Sequence, residues 1–124
     1  MKWCHVLASA ATAMALAVPA HAQHAQHAEP AAAVPEVRVE ELPREAREAI
    51  VLIHKGGPYP YAKDGAVFGN REGSLPRAKR GYYREYTVKT PGVRSRGARR
   101  IIAGASGELY YSDDHYNHFR RVRE

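Results

Sequence analysis

The sequence predicts an α+β domain in which one helix packs on an antiparallel sheet. Two observations predict it. Ala46, Ala49, Ile50 and Ile53 follow the i, i+3, i+4, i+7 spacing of a single buried helix face. From Val67 onward the chain breaks instead into short β-prone runs punctuated by Gly and Pro. A helix followed by a run of strands packs as two layers around one core.

The elements follow in chain order. Lys2 and the apolar, Ala-rich run Val6 to Val18 lead into Pro19 and then Ala20-His21-Ala22. A positive start, a short apolar core and a small-x-small site are the marks of an export signal, here residues 1–22, cleaved after Ala22. Its removal takes away Cys4, the chain's single cysteine, and Lys2, lowering the net charge from +6 to +5. With no cysteine left, neither a disulfide framework nor a paired-cysteine zinc site is available. Residues 23–35 read as a flexible linker. His21, His24 and His27 recur every three residues, but without an acidic or cysteine partner they read as part of a solvated spacer.

The folded domain is expected over residues 36–124. Val37 to Val39 alternates as a short strand would. Pro43 suits the first position of a helix, with acids in its first turn, and Gly56-Gly57-Pro58 ends it. Val67-Phe68, Tyr82 to Lys89, Arg100 to Ala103, Leu109 to Ser112 and His118 to Val122 are the strand candidates. Pro91-Gly92 and Ala105-Ser106-Gly107 are turns between them.

Charge is concentrated rather than spread. Between Arg77 and Arg100 lie nine basic residues (Arg77, Lys79, Arg80, Arg84, Lys89, Arg94, Arg96, Arg99 and Arg100) and one acid, Glu85. A cluster of one sign suits a polyanion such as nucleic acid. Read alone, Glu85 is a surface strand acid paired with Arg84 or Lys89, and His115 an ornament of the turn after Asp113-Asp114. His54 reads as a surface histidine at a helix C-terminus, and His118 as an exposed strand residue.

Three stretches in register, YAKDGAVFGNREGSLP, GYYREYTVKTPGVRSRGARRII and YYSDDHYNHF, resemble the microbial guanyl-specific ribonucleases, the barnase-like secreted enzymes. The resemblance implies one or two N-terminal helices on a five-stranded antiparallel sheet. It places the general base on Glu85 and the general acid on His115. Phosphate-binding arginines fall on Arg96 and Arg100, with Tyr116 beside them. Base recognition falls on Phe68, Asn70, Arg71 and Glu72. Gly69 departs from the Gln or Ser that relatives carry.

That resemblance implies cleavage of single-stranded RNA 3′ of guanosine through a 2′,3′-cyclic phosphate, without metal or other cofactor. A carboxylate takes the 2′-hydroxyl proton, an imidazolium gives one to the leaving oxygen, and guanidinium forks fit phosphate oxygens. Guanine alone presents two adjacent donors, N1–H and N2–H, to a carboxylate such as Glu72. RNA is the expected partner, with a small acidic barstar-like inhibitor as a second, and a secreted monomer is the expected form. Two alternatives remain: the same fold as a ribonuclease toxin aimed at other cells, and a non-catalytic RNA-binding module. A membrane-active protein would want a basic amphipathic helix, and Pro43 to Lys55 has nearly balanced charge.

Overall fold

The computed structural model describes residues 33–124. The expected export signal and all but the last residues of the expected linker lie outside the described residues.

Helix α1, Arg44–Lys55, is the one α-helix among the described residues. It starts one residue later than expected. Pro43 has ψ 150°, so it is the cap and not the first helical residue, and its carbonyl accepts from Ala46 N (3.0 Å) and Arg47 N (3.2 Å). Gly56 closes the helix at φ 76°, a left-handed cap that lets Gly56 N and Gly57 N donate to Ile53 O and Leu52 O. Of the expected inward face, Ala46 and Ile50 are buried, whereas Ala49 and Ile53 are half-buried against the same core.

Six strands form one sheet: β1 Glu36–Arg38, β2 Ala66–Phe68, β3 Tyr83–Thr87, β4 Arg100–Gly104, β5 Leu109–Ser112 and β6 Arg120–Arg123. Their order is β1-β6-β5-β4-β3-β2. Strands β2 to β6 make the expected antiparallel five. The correction is at the edge: β1 adds a sixth strand, parallel to β6, with Val37 opposite Val122. The sheet is therefore mixed. Strand β6 also begins at Arg120, so His118 is exposed as expected but lies in the preceding loop.

Alternation across the sheet separates two cores. On the helix side Ile101, Tyr111, Val88, Leu109 and Val122 pack with Ala46 and Ile50. On the other side Ile102, Tyr110 and Tyr83 pack with Leu75 and Phe119 under the loops. Strand β5 is buried along its whole length because both faces are covered. Ile101 is 0% exposed at the centre of the helix-side core, so Ile101→Ala removes methyl groups where relaxation is limited. We expect a loss of about 2–5 kcal/mol in urea unfolding; a loss under ~1 kcal/mol would show that this core is loosely packed.

Candidate active site

The sheet face opposite the helix carries the charged residues. Glu85 and Thr87 share that face of β3, two residues apart, and across the ladder stand Ile102 and Arg100 of β4. Ser112 of β5 stands opposite Arg100 in turn.

Glu85 is the junction. Its Oε1 accepts from Arg96 Nη2 at 2.9 Å, and its Oε2 accepts from the Tyr116 hydroxyl at 2.9 Å. The Tyr116 oxygen itself accepts from Arg100 Nε at 2.9 Å. Arg96, Glu85, Tyr116 and Arg100 thus form one continuous chain. The Glu85 side chain is 12% exposed and that of Arg96 27%. Glu85 is therefore neither the partner of Arg84, whose Nη1 donates to Gly65 O at 3.0 Å, nor a free surface acid. Burial raises the Tyr116 phenol above its ordinary range, Arg100 opposes that and Glu85 adds to it. The hydroxyl is accordingly a donor at neutral pH.

The arginines are held from behind. Arg96 Nε donates to Thr87 Oγ1 at 3.0 Å, and Thr87 N donates to Asp64 Oδ1 at 2.7 Å. Arg100 Nη1 donates to Arg99 O (2.8 Å), Gly97 O (3.0 Å) and Arg96 O (3.4 Å). Arg96 Nη1 and Arg100 Nη2 keep no side-chain or carbonyl partner among the described residues. Two guanidinium ends are thereby fixed yet uncommitted, the arrangement an oxyanion requires. The parity of 96 and 100 suggests convergence along an extended strand, but the segment is a loop. Gly97, at φ 65°, turns it, and Arg100 reaches back over that turn.

His115 and Tyr116 follow each other at φ 56° and 69°, a conformation non-glycine residues rarely hold. Their rings meet edge to face at 4.8 Å. His115 N donates to Ala98 O at 3.0 Å, tying this loop to the arginine loop, and the residue is exposed. The loop is braced from Ser112 and Asp114. Ser112 Oγ donates to Asp114 Oδ1 (3.0 Å) and accepts from Tyr116 N (3.1 Å), while His118 N donates to Asp114 Oδ1 (2.9 Å). Hydrogen bonds from the His118 ring and backbone, with a smaller one from Ser112, hold the Asp114 carboxyl down at about 2.

Beside this chain lies a cleft of about 270 Å³ bounded by Phe68, Arg71, Glu72, Glu85, Tyr116 and Phe119. Phe68 stacks on Tyr116 (5.3 Å, 24°) and meets Phe119 edge-on (5.9 Å). Glu72 is exposed at its rim. The Asn70 side chain is committed to its own loop, which leaves its backbone N–H for the base-recognition part expected there. Its amide donates to Leu75 O (2.9 Å) and its Oδ1 accepts from Leu75 N (3.1 Å), so it clamps the loop. At Gly69 a Cβ would lie 3.5 Å from Arg71 Cγ, so the Arg71 stem lies against that glycine.

The structure therefore brings Glu85, Arg96, Arg100 and Tyr116 into direct contact, sets His115 against them, and places Phe68, Arg71 and Glu72 around the adjoining cleft. Thr87, Ser112, Asp114 and Phe119 are the participants sequence reasoning missed. For Thr87 a signal existed, since it stands two residues after Glu85 on the same strand face. The others take part through loop contacts that no spacing announces. Among the described residues no group of three or more His, Cys, Asp or Glu could hold a metal ion.

Gly97 offers a test of how tightly Arg96 must be placed. A Cβ there would sit 2.7 Å from Thr90 Oγ1, a buried hydroxyl without a partner, at a φ that disfavours side chains. Gly97→Ala should cost about 1–3 kcal/mol of stability and lower RNA cleavage more than it lowers the folded fraction. Unchanged melting and unchanged turnover together would show that the loop tolerates the shift.

Comparison with known proteins shows the family. A family model described as ribonuclease matches residues 23–123. Guanyl-specific ribonuclease St of Saccharopolyspora erythraea is 58% identical over 85 residues, 68% of this chain and 84% of the relative. Guanyl-specific ribonuclease Sa of Kitasatospora aureofaciens is 55% identical over 87 residues, 69% and 91% respectively. A solved structure of ribonuclease Sa2 complexed with mononucleotides superposes with a TM-score of 0.73 at 48% identity, over 74% of this chain and 96% of the other. Another, of ribonuclease Sa2 with guanosine-2′-cyclophosphate, gives 0.71 at 48% identity, over 73% and 97%. With the family match covering nearly all of the folded part and relatives 55–58% identical, the chain belongs to the ribonuclease family.

Proposed function

We propose that this protein is a guanyl-preferring endoribonuclease that cleaves single-stranded RNA 3′ of guanosine in two steps. The observation that carries the reading is the Glu85 carboxylate held between Arg96 and Tyr116, opening on a cleft with a second carboxylate, Glu72, at its rim.

The chemistry follows from the groups at hand. RNA brings its own nucleophile, the 2′-hydroxyl, next to the phosphate it attacks, so positioning is largely intramolecular. Each Glu85 oxygen accepts one bond from the protein and retains acceptor capacity for that hydroxyl proton. As the 2′-oxygen bonds to phosphorus, the equatorial oxygens gain charge, which Arg96 Nη1 and Arg100 Nη2 are free to neutralise. His115, protonated, gives its proton to the 5′-oxygen as the P–O bond breaks. The products are a 2′,3′-cyclic phosphate and a free 5′-hydroxyl. Water then opens the ring with the roles reversed: His115 takes a proton from water and Glu85 returns one to the 2′-oxygen, leaving a 3′-phosphate. Each proton transfer contributes ~10²–10⁴-fold. The cations needed are side chains, so the proposal includes no metal.

In the cleft, Phe68 offers a stacking face and Glu72 accepts N1–H and N2–H of guanine together. Adenine presents a lone pair at N1 to the same carboxylate. Bidentate pairs of this kind separate bases by ~1–3 kcal/mol, and a carboxylate left desolvated and unpaired adds to the cost. All these residues come from one chain, so the proposed enzyme acts as a monomer. An acidic inhibitor protein would meet a complementary basic surface.

Dinucleotide cleavage tests both ends of the site. The parent should prefer GpN strongly over ApN, and Glu72→Ala should lose mainly the GpN rate. His115→Ala should bring cleavage near background with the fold intact, whereas excess EDTA should leave the parent unaffected. An unchanged GpN/ApN ratio in Glu72→Ala, or parental rates in folded His115→Ala, would overturn the assignment of that residue.

The same reading places the enzyme outside the cytoplasm, supported by Lys2, the apolar run to Val18 and Ala20-His21-Ala22. Protein recovered from the medium or periplasm should have the mass of a chain starting at or near Gln23. An intact Met1 on exported protein would sink it.

A further inference from the structure

Nine cations lie between Arg77 and Arg100, and the site uses two of them. Arg84 is turned to a backbone carbonyl, and Lys89 stands at the rim of another cavity beside α1. Arg94 and Arg99 belong to the same segment as Arg96 and flank it and Arg100. Arg77, Lys79 and Arg80 are the part of the tract that lies apart from those arginines and that the proposed chemistry leaves unexplained. All three are exposed, and among the described residues none has an ion-pair partner.

Their position is not arbitrary. The recognition loop ends at Leu75, which is buried, and at Pro76, whose carbonyl accepts from Tyr83 OH at 2.6 Å and from Asn70 Nδ2 at 3.4 Å. Arg77 is the next residue. The turn that follows is closed by Tyr82 N donating to Lys79 O at 3.1 Å, which returns the chain to β3 and Glu85. Three unpaired cations are therefore carried on a short loop that follows the Asn70 clamp at one end and runs into β3 at the other, and Asn70 and the β3 residue Glu85 both line the base cleft. Three like charges on one short exposed loop form a local positive field that attracts a polyanion.

We infer that Arg77, Lys79 and Arg80 form a phosphate-binding subsite for the RNA chain on the 5′ side of the recognised guanosine. This rests on the proposed ribonuclease activity and goes beyond it. The 3′ side of the scissile phosphate belongs to the loop of His115, the donor to the leaving 5′-oxygen. That leaves the chain entering from the 5′ direction to pass the recognition loop and its continuation. The contact is to phosphates and is indifferent to base sequence.

The test compares the parent with the triple variant Arg77→Gln/Lys79→Gln/Arg80→Gln on GpC, on GpC extended by four adenosines at its 5′ end, and on GpC extended by four at its 3′ end. In the parent the 5′ extension should raise kcat/KM at least about tenfold at low salt, the gain falling with salt. Single-stranded contacts contribute a log–log salt slope of ~0.7 per phosphate, so three contacts give ~2. The variant should cleave GpC at the parental rate, lose most of the 5′ gain and lose about that much slope. Equal 5′ gains in the two proteins, or a gain confined to the 3′ extension, would overturn the subsite. A second measurement separates the two hypotheses. Anisotropy with a labelled, uncleavable 2′-deoxy version of the 5′-extended strand reads binding alone: weaker binding by the variant supports the subsite, equal binding refutes it. Absence of GpC cleavage by the parent would count against the activity, and the anisotropy result would still decide the subsite.

Discussion

One carboxylate sets the layout of this site. Glu85 is 12% exposed and shared between a guanidinium and a phenol. A charge so far removed from water is tolerated only when paired and hydrogen-bonded. Three chain segments must therefore arrive at one point: β3 with the acid, the 93–99 loop with Arg96, and the loop after β5 with Tyr116. Arg100 closes the circuit by donating to that same phenol. Removing any member strands another, so the loops are positioned by the electrostatic demand of the strand residue between them.

The sheet makes that demand enforceable. Its helix side is a packed apolar layer, and its other side is apolar near Ile102 and Tyr110 but polar from Glu85 through Arg100 to Ser112. Loops crossing a polar face are held by named bonds rather than by area. Asn70 clamps the recognition loop, Thr87 holds Arg96, and Asp114 with Ser112 braces the segment that carries His115. Among the described residues the non-glycine residues with positive φ are Asn70, His115 and Tyr116, and all of them lie in these loops. Backbone strain is thus spent at the site and supported from the rigid strands beneath it.

What the sequence made legible was local. Helix α1 shows its period and its glycine stop, and β2 to β6 show as short β-prone runs between turns. The sixth strand escaped as a sheet member because β1 and β6 are about eighty residues apart and joined by no turn. Parallel pairing between chain ends leaves no local signature. The site splits in the same way. Glu85 stands out as the lone acid among nine cations, and motif order marks His115, Arg96 and Arg100. That Arg96 and Arg100 converge through a turn at Gly97, and that Asn70 serves its own loop, depends on backbone dihedrals that residue parity cannot report.

The cations of this chain divide by what constrains them, and the division follows their chemistry. Arg96 and Arg100 are fixed through fork nitrogens to Thr87, Glu85, Tyr116 and backbone carbonyls. A planar guanidinium allows this, because some of its donors can be anchored while others face the substrate; a lysine ammonium has no such geometry. Fixed cations need no reorganisation when charge develops on phosphorus, which is where preorganised electrostatics lowers a barrier. Arg77, Lys79 and Arg80 are exposed and unanchored at their charged ends. Screened by water and salt, they suit attraction of a polyanion and not stabilisation of a transition state. The loop that carries them mixes lysine with arginine, whereas the two positions proposed to face the phosphate are both arginine.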